Sequence, residues 1–128
     1  MESAWRILVV DDELALVKLV SAYLRRLGYT VVTTTDAESA WSTFAASPSE
    51  FAVAVVDGSM AGPGPEDLGV RLLQANLRLC MIVSSGYPLD MTAMEVVAKG
   101  RTMFLPKPYT SAMLLSAVRG ILAAQEEV

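Results

Sequence analysis

The sequence holds no histidine and one cysteine. Without histidine the chain has no imidazole general base and lacks the commonest nitrogen ligand for a transition metal, and Cys80 alone cannot close an internal disulfide. Cys80 stands beside Met81, Ile82 and Val83, the setting of a small buried hydrophobe rather than a reactive thiol. Cations are few as well. Ten Lys and Arg face fourteen Asp and Glu, for a net charge of −4, and apart from Arg25-Arg26 they are scattered. Neutralising a phosphate backbone takes clustered cations, which argues against a nucleic-acid-binding face. Long apolar runs are missing too. Although 53% of the residues are hydrophobic, the longest unbroken stretch, Phe51 to Val56, falls far short of the roughly 18 to 20 residues that cross a bilayer. The opening MESAWR shows no secretory signal, so a soluble cytoplasmic protein without membrane contact is expected. No internal repeat or low-complexity tract is present, and 128 residues suit a single domain spanning 1–128.

What the chain does contain is a regular alternation. Five short runs read as strands: Ile7 to Val10, Thr30 to Thr34, Ala52 to Val56, Met81 to Ser84 and Thr102 to Leu105. Most are nearly continuous aliphatic, as strands of a parallel sheet buried on both faces are. Between them the apolar spacing turns helical. Leu16, Val17, Val20, Leu24 and Leu27 form one stripe that stops at Gly28, a helix-ending glycine. Asp36 is placed to cap a second helix carrying Ala37, Ala40, Trp41 and Phe44, ended by Ser47-Pro48-Ser49. A turn-rich Gly62-Pro63-Gly64-Pro65 run precedes a third through Leu68, Leu72 and Leu73. A fourth spans about Met91 to Ala98, and Thr110 can cap a fifth bearing Met113, Leu114, Ala117, Val118, Ile121 and Leu122. Strand and helix alternate five times, which predicts an α/β, doubly wound, flavodoxin-like (βα)5 domain on a five-stranded parallel sheet.

In such sheets ligands bind beyond the carboxyl ends of the strands, where the strand order reverses. The residues expected there are Asp11 and Asp12, Asp57, Ser85-Gly86 and Lys107-Pro108. With the order 2-1-3-4-5 the first and third strands are neighbours, so Asp11, Asp12 and Asp57 converge. Taken singly these residues have ordinary readings, as acids at a helix N-terminus, a turn, a capping hydroxyl and a surface charge. Gathered at one edge, three carboxylates repel one another unless a cation joins them. All-oxygen ligands suit Mg²⁺ better than zinc, and Lys107 supplies a further positive charge. Asp57 can then attack phosphorus as a nucleophile and become an acyl phosphate, while Lys107 and the Ser85 hydroxyl steady the phosphoryl oxygens. Gly58 and Gly86 are expected to leave backbone N–H groups open to that phosphoryl group.

The set formed by Asp11-Asp12, Asp57 with GSM behind it, VSSGY at 83 to 87 and FLPKPY at 104 to 109 resembles the receiver domain of two-component response regulators over essentially the whole chain. The resemblance implies a phosphorelay module that takes phosphoryl from the phosphohistidine of a histidine kinase or histidine phosphotransfer domain onto Asp57. It implies Mg²⁺ held by Asp12, Asp57 and the backbone carbonyl of Ser59, with Asp11 acting largely through water. Ser85 becomes the switch hydroxyl, Phe104 the switch aromatic, and Lys107 the partner of the phosphoryl group, followed by a cis bond to Pro108. The fourth helix, fifth strand and fifth helix become the signalling surface and a route to a homodimer. Ser59 and Tyr87 fall where hydrolysis of the phosphoryl group is tuned. The module phosphorylates and dephosphorylates itself rather than turning over a substrate. The SSGY and LPKPY wording is most similar to receivers attached to hybrid histidine kinases, so the domain is either free-standing or part of such a protein.

Three positions depart from the family pattern. Ala61 replaces the usual proline after Met60, Gly62 to Pro65 form an unusual loop, and Phe104 lacks the hydroxyl of the commoner tyrosine. The same residues bear on other functions. A Mg²⁺-dependent phosphatase of the haloacid-dehalogenase type needs a second acid two residues past its nucleophile, where Ser59 stands. A flavodoxin-like cofactor binder needs a phosphate-cradling loop after the first strand, and here that loop is acidic. A receiver-like scaffold that binds proteins without being phosphorylated remains compatible with the altered Ala61 to Pro65 loop.

Overall fold

The aliphatic runs become five parallel strands because their side chains can be buried on alternate faces at once. The computed structural model describes residues 6–58 and 65–126. Its strands are β1 (Arg6–Val10), β2 (Thr30–Thr34), β3 (Phe51–Asp57), β4 (Cys80–Ser85) and β5 (Thr102–Pro106), and its helices α1 (Leu14–Arg26), α2 (Ala37–Ala46), α3 (Pro65–Ala75), α4 (Thr92–Val97) and α5 (Ser111–Glu126). The sheet runs β2-β1-β3-β4-β5, as expected from the alternation of elements. Ile7 and Val9 of β1 join Val53 and Val55 of β3 in a core covered by Val17, Val20 and Leu24 of α1 and by Leu114, Val118 and Ile121 of α5. Leu8 and Val10 face the other way, into a core shared with Phe44 of α2, Leu68 and Leu72 of α3 and Met94 of α4. The strands β1 to β4 thus feed two cores through their period of two.

Local signals set several boundaries. Gly28 takes φ +101°, a region closed to most side chains, and lets its own N–H reach the Arg25 carbonyl and that of Tyr29 reach Leu24. These two bonds make a Schellman ending for α1. Asp36 Oδ1 accepts the Ser39 N–H at 2.7 Å, and Thr110 Oγ1 accepts that of Met113 at 3.1 Å, so both expected caps form. The Ser47-Pro48-Ser49 break contains a 3₁₀ turn, Pro48–Glu50. It is tied down by Asn76 Nδ2, which donates to the carbonyls of Pro48 at 2.8 Å and Phe51 at 3.0 Å.

Several boundaries differ from the sequence reading by a residue or more. β3 runs through Asp57 and β4 through Ser85, because the ladder continues past the aliphatic residues: Asp57 pairs with Ser84 and Ser85 with Pro106. Their side chains therefore stand on the last rungs of the sheet rather than in loops. The fourth helix is shorter than Met91 to Ala98. Asp90 Oδ1 accepts the Thr92 N–H at 3.0 Å and sets its start, and only Met94 of its six residues is buried.

Candidate functional site

The strand order brings the acids together. β1 and β3 are adjacent, so Asp11, just past Val10, and Asp57, at the end of β3, stand side by side. Carboxylate oxygens of Asp11, Asp12 and Asp57 all lie within 4.8 Å of one another. Asp11 and Asp57 are 4% and 2% exposed, whereas Asp12 faces solvent. Lys107 leans over the pair from the far side of the sheet, with Nζ 3.0 Å from Asp11 Oδ2, 3.4 Å from Asp57 Oδ1 and 3.7 Å from Glu13 Oε1. The Lys107-Pro108 peptide is cis.

Asp11 has both oxygens engaged. Oδ1 accepts the Glu13 N–H at 2.9 Å and Oδ2 accepts from Lys107. Burial nevertheless dominates and holds its carboxyl above the ordinary aspartate range, helped by the charge of Asp57 and opposed by the Glu13 N–H and Lys107. For Lys107 burial favours the neutral amine, but the hydrogen bond and charge of Asp11, and then Asp57, outweigh it and raise its value. One ammonium thus faces an excess of negative charge, the arrangement that invites a hard cation. The donors present are carboxylate oxygens without sulfur or imidazole, a set that fits Mg²⁺.

The other expected residues are distributed around this centre. Ser85 is 1% exposed; its Oγ accepts the Tyr87 N–H at 3.2 Å and its carbonyl accepts the Lys107 N–H at 2.9 Å. Gly86 is exposed, and a Cβ added there would meet nothing within 4 Å, which leaves room for a ligand over its peptide. Gly58 differs from expectation. Its N–H is not open but donates to the Ser84 carbonyl at 2.6 Å, extending the β3–β4 ladder by one rung. The need for glycine there is steric, since a Cβ would come within 2.2 Å of Leu89 Cδ1 and 3.2 Å of Ser85 Cβ. Phe104 is partly buried. By alternation it shares the face of β5 with Thr102, whose hydroxyl meets Glu95 of α4. Ser59 and the loop from Met60 to Gly64, with its Ala61, lie outside the described residues.

Two residues near the centre escaped the sequence reading. Tyr109 packs against the core under α1 and α5, and burial, followed by the charge of Asp11, pushes its phenol up to about 12. It belongs to the PKPY run, but its polar neighbours come from distant strands. Ser84 is 1% exposed and is the cross-strand partner of Asp57; only the register shows this. A cavity of about 370 Å³ opens beside Lys107, lined by Glu13, Leu16, Gly86, Lys107, Pro108 and Tyr109.

The family model described as the response regulator receiver domain matches residues 7–119. The chain belongs to that family. This receiver domain is 32% identical over 117 residues to the DNA-binding transcriptional regulator NtrC of Rhizobium meliloti (strain 1021), covering 91% of this chain and 24% of that protein. It is 32% identical over 120 residues to NtrC of Azospirillum brasilense, covering 94% and 24%. The chain therefore spans about a quarter of the length of these relatives. Among solved structures, a response regulator receiver domain protein from Clostridium thermocellum shares the fold with a TM-score of 0.82 at 21% identity, covering 94% of this chain and 96% of that one. The chemotaxis protein CheY4 of Vibrio cholerae does so with a TM-score of 0.79 at 21% identity, covering 91% and 97%. Among the described residues no helix of this receiver domain is long and apolar enough to cross a membrane.

Proposed function

We propose that Asp57 is the phosphoacceptor of this receiver domain and that Mg²⁺ supports the transfer. The observation that carries the reading is the position of the Asp57 carboxylate, 2% exposed, beside Lys107 at 3.4 Å and within the Asp11–Asp12–Asp57 cluster. Asp57 Oδ attacks the phosphorus of a phosphohistidine on a histidine kinase or histidine phosphotransfer domain. The O–P bond of an acyl phosphate forms as the N–P bond breaks, and the departing imidazole takes its proton from water. The ammonium of Lys107 balances the charge gathering on the phosphoryl oxygens. Asp12 and Asp57, with the Ser59 carbonyl, are the residues that would hold the metal. Asp11, whose oxygens already serve the Glu13 N–H and Lys107, would reach it through water. Bound there, Mg²⁺ supplies positive charge to the transferring group.

Ser85 and Phe104 act as the switch pair, relaying the state of Asp57 to the surface of α4, β5 and α5. There Val96 is 79% and Met113 44% exposed, which suits a protein partner or a second copy. Gly86 offers its peptide to the phosphoryl group, while Ser59 and Tyr87 bear on how long that group survives. Residues 1–128 form one domain in this reading, cytoplasmic and without nucleic-acid contact of its own, and it turns over no substrate beyond its own phosphoryl group. Treatment with phosphoramidate and Mg²⁺, followed by intact-mass measurement, tests it. A gain equal to the mass of HPO₃ that disappears in Asp57→Ala supports the reading. Equal labelling of both proteins points to another acceptor, and no labelling with metal bound favours a protein-binding scaffold.

A further inference from the structure

The segment from Gly86 to Met91 joins β4 to α4 at the rim of the site, and its hydrogen bonds among the described residues are all local. The Tyr87 N–H donates to Ser85 Oγ, the Asp90 carboxylate accepts from Thr92, and the Met91 carbonyl accepts the Glu95 N–H. Gly86, Tyr87, Pro88 and Asp90 are exposed. Leu89 and Met91 are half-buried against the core that holds Met94 of α4. Met91 leads into the first turn of that helix, whereas Leu89 reaches back to the sheet. Its Cδ1 fills the space that a side chain at position 58 would take, 2.2 Å from where a Gly58 Cβ would stand, and Ser85 Cβ borders the same space at 3.2 Å. The seat is rigid. The Gly58 N–H is bonded to the Ser84 carbonyl at 2.6 Å, and Gly58 directly follows Asp57, the last residue of β3. A knob on the loop thus rests in a notch on the strand that carries Asp57.

We propose that Leu89 is a positioning residue of the phosphoryl site, the anchor that holds the Gly86 peptide in place through its seat on Gly58. The inference rests on Asp57 being the phosphoacceptor. A peptide that is to meet phosphoryl oxygens works best when held beforehand, because ordering it on arrival weakens binding. Ser85 is fixed by its place in the ladder and Leu89 by its seat. Between them only Gly86, Tyr87 and Pro88 are free to move, and the proline ring locks one of their φ angles. Without the Leu89 side chain the loose stretch lengthens toward α4, and more backbone has to be ordered when the site is loaded. Leu89 packs with Val56 and Val83, on the face of the sheet opposite the one from which Asp57 projects, since successive side chains of β3 alternate. Its loss should therefore spare the metal site.

The test compares the full chain with Leu89→Ala, Leu89→Met, Gly58→Ala and the Gly58→Ala/Leu89→Ala double variant, each shown by urea unfolding to be folded. The probe is beryllofluoride with Mg²⁺, which forms a phosphoryl-like adduct on a carboxylate; its apparent affinity is read by titration, and Mg²⁺ alone is titrated separately. Leu89→Ala should bind beryllofluoride about tenfold more weakly, the scale of ordering one more residue, while binding Mg²⁺ alone as the parent does. Leu89→Met, close in volume, should restore the affinity. Gly58→Ala displaces Leu89 without truncating it, so it should also lose beryllofluoride affinity, and it carries the test if Leu89→Ala does not fold. The loss in the double variant should fall short of the sum of the two single losses. Beryllofluoride binding by Leu89→Ala as tight as the parent's, an equal loss for Mg²⁺ alone, or additive losses would overturn the inference while leaving Asp57 as acceptor. If the parent chain binds no beryllofluoride, the phosphoacceptor reading falls and this one with it.

Discussion

Lys107 sets its Nζ 3.0 Å from Asp11 Oδ2, across 96 positions of sequence. To do so it reaches from the end of β5 over β4 and β3 to the end of β1, passing Asp57 at 3.4 Å. The lysine side chain is 17% exposed and those of its two aspartates 6% and 1%. A single cation thus offsets two carboxylates that have little water to share, and it does so at the edge of the sheet where a phosphoryl group would arrive. Folding of the sheet and assembly of the site are the same event.

Removing that cation leaves the carboxylates facing each other. Lys107→Met should cost about 3 kcal/mol of stability in EDTA, within the range for breaking a buried pair. Saturating Mg²⁺ should return part of it, because the metal supplies the missing charge. Urea unfolding of both proteins in both buffers checks this; an equal deficit with and without Mg²⁺ would contradict it.

The Asp11 carboxyl is raised from 3.8 chiefly by burial. The native chain therefore holds this proton to higher pH than the unfolded chain does. Its contribution to stability is fully present below 3.8 and is lost as pH rises through the native value. In EDTA at neutral pH, Asp11→Asn should unfold at higher urea than the parent, and the advantage should shrink as pH is lowered toward that value. A parent more stable than the variant at neutral pH would reverse the sign. For Lys107, raised from 10.5, the stabilisation is present below that pH and fades as pH climbs through its native value.

Two glycines should respond differently to alanine. At Gly58 the new methyl would meet Leu89 Cδ1 at 2.2 Å, Ser85 Cβ at 3.2 Å and the Ser84 carbonyl at 3.3 Å. Leu89 can turn aside, but the strand cannot, so Gly58→Ala should lose roughly 1–3 kcal/mol. At Gly69, inside α3, the obstacles are the sulfurs of Met94 at 2.7 Å and Met81 at 3.1 Å. Both are ends of flexible chains, and alanine gains about 1 kcal/mol of helix propensity there. Gly69→Ala should stay within about 1 kcal/mol of the parent. Chemical denaturation ranks the two, and equal losses would refute the distinction.

Much of what is decided locally was readable from the sequence, though the Asp90 turn that starts α4 was not. Aliphatic runs gave the strands, the Leu16 to Leu27 stripe and Gly28 gave α1 and its end, and Asp36 and Thr110 capped the helices they precede. The gathering of Asp11, Asp12 and Asp57 followed from strand order, which the alternation of elements predicts. What depends on register did not show. The ladder carries β3 to Asp57 and β4 to Ser85 because each pairs with a residue of a neighbouring strand. The same pairing uses the Gly58 N–H, which had been expected to remain open, on the Ser84 carbonyl. Leu89, more than thirty residues along the chain, is what requires glycine at 58. Ser84 itself looks like one more small residue in VSSGY until its neighbour across the ladder is known.

Borohydride reduces an acyl phosphate to an alcohol and so marks the residue that carried it. The chain should be treated with phosphoramidate in Mg²⁺ or in EDTA, reduced, digested and mapped by mass spectrometry. Reduction at residue 57 alone, with Mg²⁺ and not with EDTA, is the expected result. Reduction at Asp11 or Asp12, or an unmarked Asp57 in protein that has bound Mg²⁺, would contradict it.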